Sequence, residues 1–360
     1  MKKNEKKYIP INKGHFELDT VERTEEFSKK MATGWEAEYK EYRTKWTELP
    51  KQREITEYPL LVDLELASAC NLKCPMCYTI TDEFKKKVTK GFMDLDLFKK
   101  IVDEIAGKVF SLRLSLRGEA TLHKNFIDCI KYAKDKGIKE VSTLTHGGKL
   151  DLEFFKKAVD AGIDWFTISI DGVDEEYNKI RKPLTFDGTL KRLQDIKKYK
   201  DENNLIKPVI KIQGIWPAIR PNPTKYYETI APLVDLVAYN PLIDYLRKDS
   251  EIVYEENFAC PQLYQRVVVG SDGQVMMCSN DEDGEEIVGN AYEESIYDIW
   301  HGDKLNKIRD IHNQRDGFKT MKVCKLCYYP RKMIPDEPAK VGNRDIIVEN
   351  YINRKQEAGE

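Results

Sequence analysis

The segment CNLKCPMC, residues 70–77, sets Cys70, Cys74 and Cys77 close together with unequal gaps of three and two residues. A structural zinc ion closes its tetrahedron with four protein ligands, usually supplied as two separated pairs. A disulfide framework uses even numbers of cysteines in an oxidising compartment. Three neighbouring thiolates instead leave one position open on whatever they hold. A cubane iron–sulfur cluster has four irons and normally takes four cysteines. Held by three, it keeps one iron free for a small-molecule ligand. On this stretch alone, a zinc site or a chance cysteine cluster is the alternative.

Four further cysteines lie toward the C-terminus: Cys260, Cys278, and Cys324 with Cys327 in a CKLC pair. The stretch VVVGSDGQVMMC (267–278) predicts a hairpin with an Asp-Gly turn. The eighth cysteine, Cys129 in FIDCIKYA, falls beside Phe126, Ile130 and Ala133 on a helical pattern. It reads as small, buried and inert.

Elements able to position these residues begin near residue 60. Strand candidates are 60–66, 109–116, 140–145, 165–170, 208–213 and 234–239, with helical patterns at 95–107, 124–137 and 152–162 between them. The helical stretches close on Gly107, Gly137 and Gly162, a usual stop. Such alternation predicts a parallel sheet with right-handed crossovers. In barrels of this kind the chemistry sits at the carboxyl ends of the strands, and the three-cysteine motif directly follows the first strand.

Several strands carry polar residues on one face: Asp63 and Glu65; Arg113, Ser115 and Arg117; Thr143 and Thr145; Thr167, Ser169 and Asp171; Lys211 and Gln213. If these faces line a lumen, its charges must be paired with each other or with a ligand. Tyr39, Tyr42 and Trp46 recur at helical spacing and predict an N-terminal amphipathic helix packed on the main domain. The 360 residues are 33% charged with a net charge of -2, so no nucleic-acid partner is expected. No run of about 18 apolar residues could span a bilayer. The start, MKKNEKKYIPINKG, has no apolar stretch behind its charges, so no secretory signal and a reducing cytoplasm are expected.

With C-x3-C-x2-C matched by Cys70, Cys74 and Cys77, the chain resembles the radical S-adenosylmethionine (SAM) superfamily. The resemblance implies an α/β fold, a partial (β/α)6 TIM-like barrel at 58–245, behind an N-terminal helical extension at 1–57. It also implies a [4Fe–4S] cluster whose open iron is chelated by the amino and carboxylate groups of SAM. RGEATLH (117–123) falls where relatives carry a GGEP-like stretch, so Gly118 and Glu119 carry over as contacts of the SAM amino group. Arg117 and Ala120 replace the first glycine and the proline. ISIDGVDEEYNKIRK (168–182) resembles an S-x-D-G…R pattern. It implies that Ser169 hydrogen-bonds SAM and that Arg181 pairs with its carboxylate through a fork geometry. The backbone of Met76 would face the adenine, and Gln213 joins these as a cofactor-binding candidate. THGG (145–148) stands where relatives often have TNG, leaving His146 as either a loop histidine or a proton carrier.

The run Cys260-x12-Gly273-x4-Cys278 resembles the SPASM auxiliary-cluster domain. That domain has seven cysteines for two clusters, and here none follows Cys327. Four thiolates make one auxiliary [4Fe–4S] cluster, as in the shorter twitch relative, with spacing close to that of an aminocyclitol alcohol oxidase. The expected unit is a small β-hairpin/helix domain at 246–330, followed by a tail at 331–360; a zinc ribbon is the competing reading. The resemblance implies that a flavodoxin- or ferredoxin-type donor reduces the first cluster. SAM is then cleaved to a 5′-deoxyadenosyl radical, which takes hydrogen from a polar small molecule resembling a sugar or aminocyclitol; the Arg113, Arg117 and Lys211 faces argue that this molecule carries an anionic group. Alcohol oxidation leads, because a fully ligated auxiliary cluster can accept the second electron. Epimerisation, dehydration and ribosomal-peptide modification are the alternatives, with a zinc-binding interaction protein outside the enzyme class. No catalytic acid or base is assigned.

Overall fold

Short apolar strands and amphipathic helices alternate through the chain and build one ten-stranded sheet and a separate two-stranded one. The structure is a computed structural model describing residues 7–358. The first six residues of the expected extension and the last two of the expected tail lie outside these. The strands are β1 (Phe16–Glu17), β2 (Leu61–Leu64), β3 (Ser111–Arg113), β4 (Glu140–Thr145), β5 (Trp165–Ser169) and β6 (Val209–Ile215). They continue with β7 (Leu236–Asn240), β8 (Arg266–Val269), β9 (Gln274–Met276), β10 (Ile287–Asn290), β11 (Met333–Val341) and β12 (Arg344–Tyr351). The large sheet runs β1-β7-β6-β5-β4-β3-β2-β8-β9-β10. Strands β2 to β7 are mutually parallel and coincide with the six candidates read from sequence.

Between them lie helices with one apolar face. Leu95–Ile105 buries Leu97, Phe98, Ile101, Val102 and Ile105, and Asp94 caps it by accepting from the N–H groups of Asp96 and Leu97. Each such apolar side chain, fully buried, contributes at most about 1.5–3 kcal/mol. Leu152–Ala161 ends at Gly162, whose φ of 90° only glycine adopts without cost.

Two edges depart from the sequence reading. β8 makes the expected antiparallel hairpin with β9, Val268 opposite Met276, and in addition pairs in parallel with β2, Leu61 opposite Arg266 through Leu64 opposite Val269. All four β2 residues are buried, so this strand needs a neighbour on each side. At the far edge β1 pairs antiparallel with β7, Phe16 stacking on Tyr239 at 5.3 Å. The N-terminal segment therefore adds a strand as well as the helices Val21–Ala32 and Glu36–Gln52. The second helix buries Tyr42, Trp46 and Leu49 against Leu60 and Leu61, beneath the amino ends of the strands.

The expected tail also folds. β11 and β12 form a hairpin beside the helix Pro223–Ile230, where Thr224 donates to the Lys340 carbonyl at 3.0 Å. Arg331 and Arg354 clamp Asp244 and Asp249 of the loop after β7.

Candidate functional site

The three-cysteine loop sits on the carboxyl rim of the barrel, held by the ends of β2 to β5. Gly118 permits this. A Cβ there would stand 2.3 Å from the Ala67 carbonyl oxygen and 2.5 Å from that of Ala69. The neighbouring Glu119 N–H donates to the Ala69 carbonyl at 2.9 Å. Leu72, Cys74 and Met76 pack with Ile180, Ala218 and Leu242, so Met76 is buried beside the thiols.

Glu119 is 2% exposed, and its carboxylate is engaged within the protein. It accepts from the hydroxyls of Thr121 (2.5 Å) and Thr145 (2.6 Å) and from the His146 backbone (2.9 Å). His146 Nδ1 accepts from the Gly148 N–H at 3.0 Å, so Nε2 carries the proton and donates to Asn71 Oδ1 at 2.8 Å. Asn71 lies inside the cysteine loop. Burial holds the His146 pKa below the ordinary value, against the pull of Glu119. The histidine is a neutral strut that ties the cysteine loop to the end of β4.

Arg181 reaches Asp171 Oδ2 with both Nε (2.7 Å) and Nη2 (2.5 Å). Asp171 Oδ1 accepts from the Ile215 N–H at 3.0 Å. Nη1 of Arg181 has no hydrogen-bond partner among the described residues, and the guanidinium is close enough to Cys74 to oppose, in part, the rise that burial imposes on that thiol's pKa. Ser169 stands opposite Gln213 across the β5–β6 pair. Gln213, however, turns to Asn240 and to His15 Nδ1 (3.2 Å), away from the cysteine loop.

Below the rim a cavity of about 520 Å³ descends into the lumen, lined in part by His15, Arg113, Thr143, Thr167, Lys211 and Tyr245. Pairing absorbs some of the lumen charge expected from sequence. Glu65 holds Arg117 through Nε at 2.7 Å and Nη2 at 2.5 Å, so Arg117 does not face the cavity. Asp63 is shared by Arg113 (2.7 Å) and Arg266 (3.2 Å). The Arg113 contact is too poorly angled for a hydrogen bond and leaves buried Nε without an acceptor. Lys211 has no ion pair among the described residues. Burial lowers its pKa, partly opposed by Glu17. His15 is pushed down to about 3 by burial and then by Lys211.

The four C-terminal cysteines converge. Cys260 heads the turn Pro261–Tyr264, Cys278 follows β9, and Cys324 and Cys327 lie in and just after the helix Lys322–Leu326. The Cys278 thiol feels Cys260, Cys327 and Cys324. All eight cysteines are free thiols, and Cys129 is buried on its helix with its pKa pushed up to about 12. Burial raises Cys74 to about 11, Cys260 to about 11 and Cys327 to about 12. Such thiols stay protonated and inert until a soft metal displaces the protons.

A zinc ion with bonds of about 2.3 Å would draw its sulfurs to about 3.8 Å from one another. Among the described residues, three potential ligand atoms lie within 4.8 Å of one another only at Glu83, Asp283 and Glu285. Neither cysteine set gathers three thiols within 4.8 Å of one another, and a donor set of thiols alone, three in one set and four in the other, suits iron–sulfur chemistry. Tyr245 lies between the sets: it feels both Cys77 and Cys327, packs against Tyr78 with the rings tilted and 5.2 Å apart, and also lines the cavity. Neither Tyr245 nor Asn71 carries a local sequence signal.

A partial barrel with a three-thiol rim loop and a four-thiol annex defines a radical SAM enzyme. The chain belongs to the radical SAM superfamily, whose profile matches residues 64–212, and an iron–sulfur cluster-binding SPASM domain matches residues 260–328. Its cofactors are SAM, a SAM-binding [4Fe–4S] cluster and auxiliary iron–sulfur chemistry. A tungsten-containing aldehyde ferredoxin oxidoreductase cofactor-modifying protein of Pyrococcus furiosus is 31% identical over 156 residues, 42% of each chain. A SAM-dependent nucleotide dehydratase of Lacinutrix mariniflava is 34% identical over 137 residues, 38% of this chain and 28% of the relative. These matches span less than half of either relative. Among solved structures, BtrN in complex with AdoMet and 2-DOIA superposes with a TM-score of 0.52 at 19% identity, covering 75% of this chain and 92% of that one. Native anSMEcpe with bound AdoMet gives 0.54 at 18%, covering 74% and 88%. These two establish the shared fold. No helix among the described residues is long and apolar enough to cross a membrane.

Proposed function

We propose that this chain is a cytoplasmic radical SAM oxidoreductase that oxidises an alcohol carbon of a polar, anionic small molecule in the barrel lumen. Cys70, Cys74 and Cys77 hold the SAM-binding cluster, and Cys260, Cys278, Cys324 and Cys327 hold one auxiliary cluster. When bound and reduced by a flavodoxin- or ferredoxin-type donor, the first cluster with SAM supplies the power to remove a hydrogen atom from an unactivated carbon. The chain's own residues hold and orient. Arg181, braced by Asp171, presents Nη1 for the SAM carboxylate. Gly118, Ser169 and the backbone of Met76, on the ends of the same strands and in the cysteine loop, are the further contacts assigned to SAM in this reading. Glu119, already bonded to Thr121, Thr145 and His146, serves chiefly to fix the cysteine loop.

The observation that carries the reading is the four-cysteine set beside a lumen-lining residue, Tyr245. Four thiolates leave no open iron for substrate, so electron acceptance is the role left to that cluster besides scaffolding. The anionic substrate class rests on Lys211 and on Arg113, whose carboxylate is shared with Arg266.

The test is product analysis. Oxidation consumes one SAM per product, and the product is lighter than substrate by two hydrogens. Cys324→Ala/Cys327→Ala should still cleave SAM and form little oxidised product. Product of unchanged mass carrying solvent deuterium would make the enzyme an epimerase, and loss of water a dehydratase.

A further inference from the structure

The helix Asp303–Asn313 turns Leu305, Ile308, Arg309 and His312 inward. A histidine on such a face is ordinarily a core residue, but this one touches two of the four auxiliary cysteines. His312 is 0% exposed, and its ring packs edge-on against Phe258 at 6.0 Å. Nδ1 accepts from the Cys260 backbone N–H at 3.2 Å. That bond leaves the ring proton on Nε2, which stands 3.4 Å from Cys324 Sγ. One imidazole therefore fixes the backbone at one cysteine and aims a donor at the sulfur of another. Cys327 Sγ also receives the Tyr329 N–H at 3.4 Å and Asn280 Nδ2 at 3.6 Å, but Asn280 is less deeply enclosed.

Hydrogen bonds to cluster sulfurs and exclusion of solvent set the reduction potential of an iron–sulfur cluster. A donor stabilises the reduced form, which carries the extra negative charge. We propose that His312 is a positioning residue of the auxiliary cluster: its Nε2–H donates to the Cys324 thiolate and raises the cluster's potential. This rests on the reading that the four cysteines hold a cluster. In the proposed oxidation the alcohol carbon gives one hydrogen atom to the deoxyadenosyl group of SAM. The hydroxyl proton leaves to lumen water, and the remaining electron reduces the auxiliary cluster by one unit. His312 makes that last transfer favourable.

The experiment is a redox titration followed by electron paramagnetic resonance on full-length Cys70→Ala/Cys74→Ala/Cys77→Ala protein, so that the auxiliary cluster alone is observed. His312→Phe should weaken reduction about tenfold, equivalent to about 59 mV for one electron, with iron content unchanged. His312→Gln can accept from Cys260 and donate to Cys324, and should restore most of the shift. In addition, wild-type protein with 15N-histidine should show a weak coupling of one histidine nitrogen to the reduced auxiliary cluster. That readout does not depend on the Phe variant folding. An unmoved potential with a loaded cluster, no 15N coupling, or a coupling as large as direct iron ligation would each overturn the inference. Absence of any cluster in the triple variant would overturn the four-cysteine reading itself.

Discussion

At the carboxyl rim each buried charge meets its opposite, Glu65 with Arg117 and Asp171 with Arg181, and Glu119 is saturated by hydroxyl and backbone donors. Deeper in the same lumen, Arg113 and Arg266 divide one carboxylate, and Lys211 has no ion pair among the described residues. Lys211 is half-buried and faces the cavity, and a partly desolvated charge without a partner carries a cost that a ligand's opposite charge would recover. Pairing at the rim builds a rigid frame for the cluster loop. The unanswered charge below is where a ligand's own charge fits.

The largest effect should follow from breaking the rim pair. Arg181→Ala strands Asp171 and removes the group proposed to meet the SAM carboxylate, and such truncations typically cost about 2–5 kcal/mol. Calorimetry should show SAM affinity falling accordingly, with Arg181→Lys also poor because the fork is lost. Unchanged affinity in both would mean that Arg181 serves Asp171 alone.

Glu119→Ala should act differently. It leaves the Thr145 hydroxyl and His146 N–H without an acceptor, at a cost of about 1–3 kcal/mol for a buried orphan. Thermal unfolding should register this before SAM affinity does. Loss of SAM binding at unchanged stability would restore Glu119 to direct contact with the cofactor.

The smallest effect, and of opposite sign, belongs to the lumen. Burial lowers the folded pKa of Lys211, so stability falls as pH drops from the ordinary lysine value through the folded one. At pH 7, below the ordinary lysine value, that penalty is already present. Lys211→Met should therefore raise the Tm modestly at pH 7 while raising the substrate KM. A lowered Tm would show that the amine is paired in solution.

The cysteines and the six parallel strands were legible because their signals are local: spacing in one loop, alternation within one strand. Gly107, Gly137 and Gly162 marked helix ends for the same reason. The pairing of β8 with β2 was not legible, since RVVV reads equally well as a hairpin arm, and only the full burial of β2 demands a second neighbour. β1 is two residues long and carries no periodicity. Arg117 looked like a lumen cation because alternation gives its face but not its partner, Glu65. Likewise Glu119 read as a cofactor contact because nothing in its own stretch reveals Thr145 and His146. Across 1–57 and 331–360, charge and aromatic content suggested an arm and a tail, whereas distant packing on Tyr239 and Thr224 makes sheet of both.

The claim of two clusters with separate holders is tested most directly by metal analysis of anaerobically reconstituted protein. The account predicts about eight irons per chain, from two four-iron clusters. About half should remain in Cys70→Ala/Cys74→Ala/Cys77→Ala, with SAM cleavage abolished and no stoichiometric zinc in either protein. About four irons with one zinc in the wild type, or SAM cleavage surviving in the triple variant, would contradict it.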